Sequence, residues 1–151
     1  FSVCAILSVL IVFLLIFKRH ILPSILLYRK RRPRRRILAR MRRLIRSRRP
    51  PPPEELLCRF VGELRALLSL VSSLEVGSFT APEFSRLRPL DPLLFTADFL
   101  EAQDRVIRYH DHSRFSNDPA DWHPLAGLLA SSLEAFEALD ARLCAREEGT
   151  L

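Results

Sequence analysis

The chain has 151 residues, with 24 Lys and Arg against 17 Asp and Glu, and only four Gly and three Cys. So few glycines argue against a phosphate-cradling loop, and Cys4, Cys58 and Cys144 show neither CxxC nor Cys/His ligand spacing, so no disulfide framework or zinc site is expected. The net charge of +7 would suggest a nucleic-acid binder if it were evenly spread, but it is sharply divided along the chain.

Residues 1–17 are uncharged and mostly apolar, and predict a transmembrane helix. Seventeen residues at about 1.5 Å each give roughly 25 Å, slightly short of a hydrocarbon core near 30 Å. Lys18 and Arg19 can snorkel to the headgroups and close that gap. The chain opens at Phe1 inside the apolar run, so the span is expected to extend upstream and an extracytoplasmic part to precede it. A cleaved secretory signal would carry its positive charge before the apolar run, whereas here the charge follows it. That order predicts an N-terminus outside and the basic side in the cytoplasm.

Residues 18–49 hold 15 of the 24 basic residues and no acid, whereas residues 50–151 set nine Arg against all 17 acids, a charge of −8. The basic part reads as a juxtamembrane collar, and the acidic part as a separate soluble module. Within the collar, Ile21–Tyr28 is a short apolar patch broken by Pro23 and expected at the membrane interface. Further on, Ile37, Leu38, Met41, Leu44 and Ile45 form one apolar stripe of a helix whose other faces are basic. The narrow stripe and extreme charge favour a helix lying on an anionic leaflet, where each basic side chain contributes about 1 kcal/mol. The alternative is that the stripe packs on the acidic module or on a second copy. Lys18, Arg19, Arg29, Lys30, Arg31, Arg32, Arg34, Arg35, Arg36, Arg40 and Arg43 are the expected contacts with lipid headgroups.

Pro50–Pro53 reads as a polyproline spacer between collar and module, the latter expected over residues 54–146. Glu54 and Glu55 then favour the first turn of a helix with Leu56, Leu57, Phe60, Val61, Leu64, Leu67, Leu68 and Val71 on one face and Gly77 as its stop. Thr80 and Glu83 have capping-box spacing and predict a short helix to about Leu87. Asp91–Pro92 predicts the start of a helix to about His110, with Leu94, Phe95, Phe99, Ala102, Val106 and Tyr109 inward. A polar loop over 111–121 follows, and then a last helix from Trp122 with Leu125, Leu128, Leu129, Leu133, Phe136, Leu139 and Leu143 on its stripe. No stretch alternates with period two, so the expected class is all-α: one transmembrane helix, a basic amphipathic helix and a small helical bundle.

The densest polar cluster, His110 to Asp118, assembles no catalytic set. His110 and His112 point to opposite sides of a helix, which disfavours a metal site with Asp118 or His123. Ser113 and Ser116 lack a strained nucleophile turn or a Gly-rich oxyanion loop. The expectation is a protein that is not an enzyme and takes no cofactor, metal or small-molecule substrate. Arg114, Phe115 and Ser116 are the loop's most distinctive residues, expected either to contact a partner or to close the bundle, with Phe115 capping the core and Arg114 paired to Asp104 or Asp111.

Thr80–Glu83, Leu94–Phe95 and Arg114–Phe115–Ser116, followed by the Leu125–Leu143 stripe behind one span and a basic collar, resemble the cytoplasmic tails of bacterial Bat-operon membrane proteins. The pattern covers most of residues 1–145, its motifs are short, and Trp122–His123–Pro124 has no place in it. The resemblance implies a single-pass protein of the bacterial inner membrane whose cytoplasmic module binds a MoxR-type AAA+ ATPase or a von Willebrand A-domain protein. Two other functions fit the residues: a structural subunit of a larger membrane complex, and tethering of nucleic acid through the Arg-rich collar. The second is disfavoured, because the collar carries only Tyr28 to stack on bases.

Overall fold

The computed structural model describes residues 2–74, 80–116 and 122–149, and every regular element among them is helical. Six α-helices follow one another: α1 (Ser2–Ile16), α2 (Leu22–Arg46), α3 (Pro53–Ser72), α4 (Ala81–Phe84), α5 (Ala97–Phe115) and α6 (Trp122–Gly149). The chain divides into two compact units, Phe1–Pro33 and Arg34–Leu151.

The first unit contains α1 and the opening of α2. Leu7, Val9, Leu10, Ile11, Phe13 and Leu15 are each at least half exposed, an apolar surface along α1. Among the described residues one helix, with a window of mean hydropathy 2.2, is long and apolar enough to cross a membrane. Between α1 and α2, Phe17–Ile21 forms a widened π-turn, closed by the Leu22 N–H donating to the Phe17 carbonyl. Pro23 supplies the reason: its ring would collide with the carbonyl four residues back, that of Arg19, and widening the turn relieves the clash. The chain therefore stays helical through Ile21–Tyr28, where Pro23 was expected to break it.

The second unit is the helical bundle, and it begins at Arg34 rather than after the proline run. Ile37, Leu38 and Met41 of α2 are buried in the same core as Leu57, Phe60 and Leu64 of α3, with Leu44 and Ile45 packed against it. This corrects the expectation of a helix lying on the membrane surface. Five apolar side chains in one stripe gain more from a protein core than from a polar headgroup layer. Residues 47–52, with Pro50, Pro51 and Pro52, are accordingly the short connection of a helical hairpin, not a spacer between modules.

Helix α3 opens with Pro52 in an extended N-cap conformation, Pro53 at the first helical position, and Glu54 and Glu55 in the first turn. It ends at Ser72, ahead of the expected stop at Gly77, which lies outside the described residues. Ser72 turns its hydroxyl back onto the Leu68 carbonyl at 2.7 Å, and Ser73 takes the left-handed conformation with φ 57°. Thr80 and Glu83 pair as the capping spacing predicts: the Thr80 N–H and hydroxyl both donate to the Glu83 carboxylate, at 2.8 and 2.9 Å.

Asp91–Pro92 opens only a single turn, in which the Phe95 N–H donates to the Asp91 carbonyl at 2.8 Å. Thr96 caps α5, accepting from the Phe99 N–H at 3.4 Å, and the helix continues past His110 to Phe115. Phe99 joins α5 to α6 through an edge-to-face contact with Phe136, ring centroids 5.4 Å apart. A buried polar tie lies beside it, the Ser132 hydroxyl donating to Gln103 Oε1 at 2.9 Å.

Candidate functional site

The α2–α3 hairpin encloses an open groove of about 850 Å³. The last turns of α2 supply Arg40, Arg43 and Leu44, the connection supplies Arg49, Pro51 and Pro52, and α3 supplies Glu55, Arg59, Gly62, Glu63 and Ala66. Their spacing on α3 (55, 59, 62 and 66) is one helical face, and prolines hold the connecting chain extended beside it. At Gly62 an added Cβ would meet nothing within 4 Å, so the middle of the groove is open.

The charge of this groove is unbalanced. Four Arg face two Glu, and both carboxylates are already engaged: Arg40 with Glu63 at 2.8 Å and Arg59 with Glu55 at 2.5 Å. Arg43 and Arg49 form no ion pair among the described residues, leaving an excess of two positive charges. The two engaged pairs are exposed and each contributes at most about 1 kcal/mol to stability. The groove therefore presents a net positive charge that suits an anionic group such as a carboxylate.

The expected headgroup contacts separate into distinct classes. Lys18, Arg19, Arg29, Lys30, Arg32, Arg35 and Arg36 are exposed, and Arg31 is half-buried. Arg40 and Arg43 belong to the groove. Arg34 cannot meet a headgroup: it is 4% exposed and sits against α6. Its Nη1 and Nη2 donate to the two oxygens of Glu147 at 2.8 and 3.0 Å, and its Nε makes an ion contact with Asp140 at 2.9 Å. The Glu147 hydrogen bond is the main reason that the Arg34 guanidinium is held above its ordinary pKa against the cost of burial, with Asp140 adding to it. On the outer side of α2, Arg42 pairs with Glu137 of α6 at 2.5 Å.

The residues at the end of α5 do not play the part expected of them. Phe115 is 82% exposed and caps no core, and the Arg114 guanidinium stacks over its ring at 5.9 Å. Asp104 and Asp111, the expected partners of Arg114, face Arg108 and His110 instead, because they lie one turn and one residue from them. Ser116 ends the helix, its N–H donating to the His112 carbonyl at 2.8 Å. Asp118 lies outside the described residues, and among those described no three His, Cys, Asp or Glu side chains gather as a metal site would need.

Sequence reasoning missed the groove because it assigned the collar to the membrane and the prolines to a spacer. It also missed Arg34, although position 34 continues the stripe of Ile37, Leu38 and Met41 by one turn. Comparison with protein families, with characterised proteins and with solved structures found no match.

Proposed function

We propose that the chain is a membrane-anchored protein-interaction module that receives an acidic segment of a partner protein in the α2–α3 groove. The observation that carries this reading is the pair Arg43 and Arg49, which form no ion pair among the described residues beside an open groove while the neighbouring arginines are matched. The apolar α1 supplies the anchor, and the basic side chains after it favour a cytoplasmic position for the bundle. The resemblance to Bat-operon membrane proteins supplies the partner class, an AAA+ ATPase or a von Willebrand A-domain protein at the bacterial inner membrane. Nucleic-acid tethering is the weaker reading, since Arg34, Arg40 and Arg42 are engaged by carboxylates of the bundle itself.

Co-purification from detergent-solubilised membranes tests the proposal, with the full chain compared against a variant carrying Arg43→Glu and Arg49→Glu. A partner is expected to be retained by the first and released by the second, with circular dichroism unchanged. Release should also follow a rise in salt, as for any exposed charge pairing. Retention of the same proteins by both chains would overturn the groove as the docking site.

A further inference from the structure

The fold brings together three groups outside the groove that the sequence keeps apart. Cys58 of α3 is exposed, and its Sγ lies 3.6 Å from Nε2 of His110 on α5. The imidazole is buried, at 6% exposure, and its Nδ1 lies 3.2 Å from Asp111 Oδ1. An ionised carboxylate only accepts hydrogen bonds, so in the neutral ring Nδ1 carries the hydrogen and Nε2 turns its lone pair to the thiol. Nucleophile, base and orienting carboxylate stand in the order that activates a thiol.

Cys144 provides a contrast within the same molecule. It is half-buried, and Arg34 Nη2 lies 3.8 Å from its sulfur; a guanidinium donates hydrogen bonds and takes up no proton.

We propose that Cys58 is a nucleophilic modification site with His110 as its base and Asp111 as a positioning residue. Its co-reactant is a low-molecular-weight disulfide. Nε2 of His110 takes the thiol proton, and the Cys58 sulfur attacks one sulfur of the disulfide. The S–S bond of the reagent breaks, and the departing thiolate recovers the proton from Nε2. Cys58 is oxidised to a mixed disulfide while the other half of the reagent leaves as a reduced thiol. Disulfide exchange needs access to a single sulfur atom, so an exposed thiol without an enclosing pocket suffices.

The test treats the full chain in detergent micelles with glutathione disulfide and follows Cys58 and Cys144 separately by peptide mass spectrometry. A free thiol is only a few per cent ionised near neutral pH, so loss of the base in His110→Gln is expected to slow Cys58 at least about fivefold. Asp111→Ala should slow it comparably, and Asp111→Glu, which keeps an acceptor for Nδ1, should restore it to within about twofold of the parent. Cys144 should react equally in all four proteins. Acceleration at Cys144 would expose unfolding in a variant of the buried His110, in which case the Asp111 pair decides. Equal Cys58 rates in the parent, His110→Gln and Asp111→Ala overturn the proposal and leave the contact as packing. Slowing by Asp111→Ala without recovery in Asp111→Glu overturns the positioning role.

Discussion

Arg34 joins two charged segments that look unrelated in the sequence. Its guanidinium forks onto Glu147 and touches Asp140, seven residues apart on one face of α6, with Cys144 between them. A charge this deeply buried is stable only while it is paired, and truncating one partner strands the other. Arg34→Ala should therefore cost about 3 kcal/mol of bundle stability, read as a lower thermal midpoint by circular dichroism. Replacing the whole set, as in Arg34→Met with Glu147→Leu and Asp140→Asn, should recover most of that loss, since no buried charge is then left unpaired. A single variant as stable as the parent would show the contact to be peripheral. The pairing had a sequence signal in the register of the two helices, Arg34 on the α2 stripe and Asp140 and Glu147 spaced by seven on α6. What concealed it was the surrounding excess of Arg, which gave position 34 the same local composition as Arg35 and Arg36.

Among the elements, the long helices α3 and α6 are legible because their apolar residues recur at 3.6 spacing, and all seven predicted core residues of α3 from Leu56 to Leu68 are buried. The segment between them is less so, because Asp91–Pro92 and Thr96 both have the grammar of a helix start and only packing chooses between them. Asp91 acts as a clasp instead: its carboxylate receives Arg146 of α6 and the Leu94 N–H. Arg146 chiefly, then that N–H, hold the Asp91 carboxyl below its ordinary range, and the Thr80 N–H, followed by its hydroxyl, does the same to Glu83. Both groups are more acidic folded than unfolded. Their contribution is complete above the ordinary carboxylate range and disappears as pH falls through the depressed folded values. The thermal midpoint should accordingly decline between roughly pH 5 and pH 2, and Asp91→Asn should flatten part of that slope while lowering the midpoint at neutral pH. Identical slopes for the two proteins would remove Asp91 from the acid response.

For the whole molecule, the charge division at the prolines and the structural division at Pro33 disagree, and the disagreement has a physical cause. Charge is visible residue by residue, whereas the fate of the stripe over residues 37–45 depends on which apolar surface is within its reach. Ile37, Leu38 and Met41 are 6%, 3% and 0% exposed, as buried as the central residues of α3. Three such side chains contribute on the order of 5 kcal/mol at about 1.5–3 kcal/mol each, comparable to the net stability of a small domain. A fragment of residues 34–151 should therefore be soluble without detergent and melt cooperatively, whereas residues 50–151 should be largely unfolded or self-associated, exposing the α3 face that α2 covers. Far-ultraviolet circular dichroism and sedimentation on the two fragments distinguish the outcomes. If residues 50–151 melt cooperatively at the same temperature as the longer fragment, α2 is dispensable to the core, and its stripe is free for the membrane surface after all.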